Sequence, residues 1–294
     1  MVSSANNHNV ITLNSSISSK ITRLEEHISR VFKLASPCEL CPRQCRKERN
    51  RGETGVCGVT LKPLVSSYHL HFGEESPISG WKGSGTIFFT SCNLRCQFCQ
   101  NYSISHLREG LEVSIIQLAE MMLHLQAQGA HNINLVTPTH QAYAIYKALL
   151  IAYKKGLHIP IVYNCGGYES LEMLKLWEGI VDIYLPDLKF GDDNYARLFT
   201  GAPDYFYHAR IAIKEMHRQV GTLRLNSQGI AIQGVLIRHL VLPGDLSATR
   251  ECLKFIAEEL GSDTYISLMS QYYPAYQAYR YPPLDRRLQK QEYR

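Results

Sequence analysis

Apolar residues fall along this chain in two alternating patterns. Short unbroken runs read as strands buried on both faces: SGTIFFT (84–90), NINLVTP (132–138), IPIVYN (159–164), VDIYLPDLKF (181–190), IQGVLIRHLVLP (232–243) and TYISLMSQY (264–272). Between them the spacing changes to three and four residues. Ile115, Ile116, Leu118, Met121, Met122 and Leu125 mark a helix over 113–129. Further helices are predicted over 141–155, over 170–179 with Ser170 as its cap, over 205–220 and over 246–260. Six strands alternating with helices predict a parallel sheet with right-handed crossovers. The sheet can curl into a partial barrel or stay open and doubly wound, and periodicity leaves both. In either, a ligand sits at the carboxyl ends of the strands, so the residues just after each strand carry the chemistry.

Composition narrows the class. Over 294 residues, 45% are hydrophobic, enough for a sizeable core. The net charge of +5 is spread without a Lys/Arg block, so no nucleic-acid partner is expected. No run approaches the ~18 apolar residues of a membrane helix, and no membrane partner is expected. The first twenty residues lack the basic and apolar regions of a signal peptide, so a cytoplasmic location is expected. The expected organisation is a flexible N-terminus (1–30), a Cys-rich extension (31–75), the strand–helix region (76–276) and a solvated basic tail (277–294).

In a reducing compartment, nine cysteines suggest metal rather than disulfides. Seven form two groups. Cys92, Cys96 and Cys99 have the spacing C-x3-C-x2-C just after the first strand. Three thiolates suit a four-iron cluster with one iron left open. A three-cysteine zinc site with a remote fourth ligand is the alternative. Cys38, Cys41, Cys45 and Cys57 put four thiols into 20 residues. A closed structural zinc site is the first reading there and an auxiliary iron–sulfur cluster the second; free thiols or partial ligation remain open.

The segment GSGTIFFTSCNLRCQFCQN resembles the signature of radical S-adenosylmethionine (SAM) enzymes. It is most similar to an uncharacterised iron–sulfur branch that is itself similar to pyruvate formate-lyase activating enzyme. HFGEESPISGWKGSGTIFF, NINLVTPTH, DIYLPDLKF, AIKEMHRQVG, RHLVLPG and MSQYYPAY extend the resemblance over roughly residues 38–276. It implies an α/β fold, a partial (β/α)6 TIM-type barrel. It implies a [4Fe-4S] cluster on Cys92, Cys96 and Cys99, and SAM as the second cofactor. The implied activity is that of an oxidoreductase: SAM is cleaved to a 5′-deoxyadenosyl radical, which abstracts hydrogen from a substrate. That substrate is a glycyl radical enzyme awaiting activation, another peptide or a small molecule. A non-catalytic iron–sulfur or zinc protein is the reading from a different class. The implied electron donor is a flavodoxin or ferredoxin.

The same resemblance assigns site residues. Phe98 packs on the cofactor. The superfamily's second strand ends in Gly-Gly-Glu, which binds the SAM amino group; here Val136-Thr137-Pro138-Thr139-His140 stands instead. Thr137, Thr139 and His140 are expected to make that contact. Asn164, before Gly166 and Gly167, is expected against SAM. Asp187 and Lys189 share one strand face, so each can neutralise the other inside a barrel, and a catalytic role is expected of the pair. Arg238 suits a SAM carboxylate and His239 its ribose. These two neighbours point to opposite faces, so one of them enters the site. Ser270, Gln271 and Tyr272 offer adenine or substrate contacts.

Overall fold

A computed structural model describes residues 3–293, with side chains from Ser15 onward. The chain begins with α1 (Ser3–Ala35), β1 (Leu64–His71), α2 (Ser76–Ser79), β2 (Ser84–Phe89), α3 (Tyr102–Ser105) and β3 (Leu111–Glu112). It continues through α4 (Ile115–Ala127), β4 (Ile133–Val136), α5 (Ala142–Lys154), β5 (Ile161–Cys165), α6 (Leu171–Trp177) and β6 (Ile183–Pro186). Then come α7 (Asp193–Thr200), α8 (Tyr205–Val220), β7 (Arg224–Leu225), β8 (Ala231–Leu240), α9 (Thr249–Phe255), β9 (Tyr265–Met269) and α10 (Lys290–Tyr293).

Strands β2, β4, β5, β6, β8 and β9 lie parallel in that order, with Ile87 beside Leu135, Leu135 beside Tyr163, and Tyr163 beside Tyr184. The order follows the sequence without reversal. A doubly wound sheet reverses at a switch point, whereas one-directional winding is that of a barrel wall. Among the described residues the wall is not closed: β1 pairs antiparallel with β2 at one end and β9 pairs only with β8 at the other. This is the expected partial barrel. All six parallel strands fall within or against their predicted runs.

Two ends of the chain differ from expectation. Residues 1–30 were expected to be flexible; Met1 and Val2 lie outside the described residues, and from Ser3 the chain is helical. Leu24, Val31 and Ala35 are fully buried, and α1 packs on α5 and α6. Lys20 Nζ lies 2.6 Å from Asp182 Oδ2, which also accepts from the Ile161 amide at the start of β5 (2.8 Å). The cause is a narrow apolar stripe, Ile17, Ile21, Leu24, Val31 and Ala35, at helical spacing within a polar composition.

The basic tail was expected to be solvated; as far as Tyr293 it docks instead, Arg294 lying outside the described residues. Leu284 and Ala278 are buried, and the Tyr272 hydroxyl donates to the Leu284 carbonyl at 2.6 Å. Tyr, Pro and Leu within the tail supply apolar surface that its charges conceal in sequence. A smaller difference concerns a helix cap. Ser170 sits at the start of α6 without a side-chain cap bond. Ser114 caps α4 in a reciprocal box with Gln117, and Asp192 caps α7.

Candidate functional site

The loop after β2 carries the three close-set cysteines, and it is fastened at many points. The Arg95 amide donates to Thr200 O (3.1 Å) and the Gln97 amide to Phe199 O (2.8 Å), so the end of α7 holds its outer side. The Gln277 amide reaches back from the tail to Gln97 O at 2.9 Å. Asn93 Nδ2 donates to Tyr168 O at 2.7 Å, and His106 Nε2 lies 3.0 Å from Cys96 O while its ring stacks on Tyr276. Ser91 enters the loop with a left-handed φ of 68°.

Cys92, Cys96 and Cys99 all line one cavity at the carboxyl ends of the strands, together with Ser91, Thr137, Asn164, Asp187, Lys189 and Arg238. A second opening shares Cys96, Cys99, Asn101, Asp187, Lys189 and Arg238, and adds Phe98, Gln100, Leu240, Met269 and Gln271. With these residues in common, the two form one site.

Its charges are arranged in a chain. Lys189 Nζ donates to Asp187 Oδ2 at 2.6 Å, and Arg238 Nε to Asp187 Oδ1 at 2.8 Å. Arg238 Nη2 donates to Asn164 Oδ1 at 2.7 Å, and Nη1 to Glu74 Oε2 at 3.1 Å. Glu74 Oε1 in turn accepts from Asn134 Nδ2 (2.9 Å) and Asn164 Nδ2 (3.3 Å). Two carboxylates and two cations thus neutralise each other inside the barrel. Burial pushes the Asp187 carboxyl up, but Arg238 and Lys189 outweigh it and hold the group below its usual range. Burial raises Glu74 despite Arg238. Tyr205 fixes the strand ends: its hydroxyl accepts from the Lys189 amide (2.9 Å) and donates to Gly166 O (2.8 Å). Gly167 has φ 77°, and a Cβ there would lie 2.6 Å from Asp187 O, so the turn after Asn164 needs glycine.

Of the residues assigned from sequence, the structure brings together Cys92, Cys96, Cys99, Phe98, Thr137, Asn164, Asp187, Lys189 and Arg238. Phe98 lines the opening while packing on Phe190, Phe199 and Tyr272. Thr137 holds a left-handed φ of 59°, an outlier for a β-branched residue, and its amide donates to Asn164 O at 2.8 Å.

Four assignments are corrected. After Pro138 the chain turns into a short helical turn (Thr139–Gln141), which carries Thr139 and His140 away from the cavity. Thr139 Oγ1 donates to buried Glu169 (2.6 Å), and His140 Nε2 lies 2.7 Å from Thr90 O, with burial lowering its pKa to about 4. His239 faces α9 on the outer side, between Leu188 O (2.6 Å) and Thr249 Oγ1 (3.0 Å). Of Arg238 and His239 only the arginine is inside, as strand alternation requires. Tyr272 is buried on the tail, leaving Gln271 at the opening.

The reading from sequence gave no role to Glu74, Glu169 or Arg49, and expected Arg43 only to offset thiolate charge. Glu74 arrives from the turn after antiparallel β1, outside the strand-end rule. Arg43 Nε donates to Asn93 O (2.5 Å), and Arg49 Nη2 to His140 O (2.7 Å), so the Cys-rich extension grips both the cysteine loop and the turn after β4.

Among the described residues, no three His, Cys, Asp or Glu side chains converge on the position of a single metal ion. A multi-iron cluster takes its thiolates at separate corners. Three cysteines on one loop, all facing one cavity, are a donor set that fits it. Burial pushes Cys92 up to about 12 and raises Cys96, which Lys189 partly opposes, so ionising these thiols calls for a bound cation.

The family model described as the radical SAM superfamily matches residues 86–253. This chain belongs to the radical SAM superfamily. It is 31% identical over 265 residues to the uncharacterised protein MJ0674 of Methanocaldococcus jannaschii, covering 87% of this chain and 71% of that protein. A second uncharacterised protein of that organism, MJ0808, is 23% identical over 270 residues, covering 84% and 73%. Among solved structures, native anSMEcpe with bound AdoMet is similar at 14% identity with a TM-score of 0.43, over 63% of this chain and 51% of that one. The same protein with AdoMet and the Cp18Cys peptide gives 12% identity and a TM-score of 0.41. This chain therefore spans about half the length of those solved chains.

Proposed function

We propose that this radical SAM protein is an enzyme that holds a [4Fe-4S] cluster on Cys92, Cys96 and Cys99 and binds SAM in the adjoining cavity. The observation that carries the reading is that the three thiols share one cavity with the charged strand ends Asp187, Lys189 and Arg238. When bound, the cluster supplies the electron that splits SAM into methionine and a 5′-deoxyadenosyl radical, which takes a hydrogen atom from the substrate.

The chain's own groups bind and orient. A ligand with an ammonium and a carboxylate meets both signs of charge here. Asp187 and Asn164 Oδ1 accept from an ammonium. Lys189 and Arg238 donate to a carboxylate by exchanging one of their present partners. Thr137, strained at the end of β4, aligns the Asn164 backbone beside it. Phe98 and Leu240 line the opening with apolar surface, which limits water near a radical.

The substrate class follows the sequence resemblance in the cysteine loop: a backbone glycine of a partner protein, entering where Gln100, Asn101 and Gln271 line the opening.

The test is anaerobic reconstitution, reduction and addition of SAM, with 5′-deoxyadenosine as the readout. Product is expected from the native chain and none from Cys96→Ala. No product at any reductant strength would overturn the enzymatic reading. Transfer of the radical to a glycine of a candidate partner is read by electron paramagnetic resonance.

A further inference from the structure

The Cys-rich extension folds with almost nothing of its own to hold it. Between the end of α1 and β1 the only regular piece is a three-residue turn, Arg49–Arg51. The chain nevertheless follows a defined path. The Cys38 amide donates to Lys47 O (3.0 Å) and the Arg46 amide to Cys38 O (2.9 Å), so two arms run side by side. Tight turns follow Cys41, where the Gln44 amide donates to Cys41 O (3.1 Å), and enclose Cys57, where Gly58 donates to Gly55 O (2.9 Å). A Cβ on Gly55 would lie 2.8 Å from Cys45 Sγ, so the arm carrying Cys57 passes directly over Cys45.

The sulfurs are set up as acceptors. Cys41 takes a hydrogen bond from the Arg43 amide and Cys57 from the Val59 amide. Cys92, in the SAM site, takes one from the Leu94 amide at 3.3 Å. All three are the same turn, in which the amide two residues on points at the sulfur. Arg49 Nη1 lies 3.9 Å from Cys38 Sγ, adding a cation beside the group. The paired arms at Cys38 and Arg46, the turn after Cys41 and the pass of Gly55 over Cys45 bring the four thiols into one small region.

We propose that Cys38, Cys41, Cys45 and Cys57 hold a second iron–sulfur cluster, next to the SAM site. A single zinc with Zn–S bonds of about 2.3 Å would require its sulfurs within roughly 4.6 Å of each other. These thiols are grouped, but no three of them reach that convergence. Cys92, Cys96 and Cys99 share this looser grouping and the same amide-to-sulfur turn. Four thiolates are a full ligand set for a four-iron cluster, so this one is closed where the SAM site is open. Arg43 ties it to the cysteine loop through Asn93 O, and Glu169 acts electrostatically on both Cys41 and Cys92.

The experiment counts iron and acid-labile sulfide in anaerobically purified full chains. In a Cys92→Ala, Cys96→Ala, Cys99→Ala variant, about four irons and four sulfides per chain are expected to remain. A Cys41→Ser, Cys57→Ser variant is expected to lose about half of the native iron and keep the rest. Circular dichroism melting confirms that each variant is folded. Zinc in place of iron in the triple variant, or no metal there in a folded chain, overturns the proposal. The two sites are counted separately, so failure here leaves the SAM-site reading intact, and failure of that reading leaves this one.

Discussion

Arg238 and Glu74 lie 164 positions apart in the chain and meet inside the barrel, Nη1 to Oε2 at 3.1 Å. The contact joins two elements that the parallel sheet alone does not connect: β8, which forms the wall, and the turn after antiparallel β1. Glu74 thereby carries the negative charge that balances the strand-end cations. Glu74→Ala removes the buried acceptor of Arg238 Nη1 and of the Asn134 and Asn164 side-chain amides, while Arg238 keeps Asp187 and Asn164, so a loss of about 3 kcal/mol is expected. Glu74→Gln keeps the shape and is expected to cost less. Denaturant unfolding of both variants checks the order, and equal losses would show that the charge is irrelevant.

Thr137 gives a prediction of opposite signs. Its left-handed φ of 59° stores strain that glycine does not feel. Thr137→Gly is expected to hold or raise stability, by about 1 kcal/mol at most. It is also expected to weaken SAM binding by loosening the end of β4. Thermal melting and equilibrium binding of SAM separate the two effects. A variant that binds SAM as tightly as the native chain would remove Thr137 from the site.

Much of this architecture was legible in the sequence, for a physical reason. Parallel strands buried on both faces must be written as apolar runs, and Ile87, Leu135, Tyr163 and Ile237 all sit in such runs. Strand alternation also showed that only one of Arg238 and His239 enters the site, and the structure shows that it is Arg238. What was hidden depended on contacts from outside the pattern. The stripe of α1 is diluted by Ser and Asn, and β1 carries SSYHLH, with three consecutive exposed positions and little apolar signal. Glu74 is anonymous until β1 is seen to run antiparallel. Thr139 and His140 stand two residues too far along a turn whose direction Pro138 sets.

The N-terminal helix is tested at Leu24, which is fully buried against the body. Leu24→Ala is expected to cost about 3 kcal/mol. Exposed Glu25, paired only at the surface with Lys154, is expected to cost under about 1 kcal/mol when changed to Ala. Chemical denaturation of both reads the difference. Indistinguishable variants would mean that α1 does not contribute to the core.

Two buried neighbours make the acid response unusual. Burial raises Glu169 from 4.5 to about 7, against hydrogen bonds from Thr139 and Tyr163. Its stabilising contribution is complete below pH 4.5 and is lost as pH rises to about 7. Burial lowers His140 from 6.5 to about 4, so its contribution is present above 6.5 and lost as pH falls towards 4. Each is worth about 3 kcal/mol, and between pH 4.5 and 6.5 they oppose each other. Glu169→Gln removes one slope, so its stability is expected to rise with pH across that window by about 3 kcal/mol more than the native chain's. Unfolding midpoints at several pH values check this, and parallel curves would refute it.

The bond from the Gln277 amide to Gln97 O, with Tyr276 stacked on His106, has a consequence for how the protein is made. The cysteine loop leaves the ribosome some 180 residues before the segment that fastens it. Until translation passes residue 277 the loop lacks its outer clasp, so the cradle for any inserted group is finished only after every strand of the barrel wall has been synthesised.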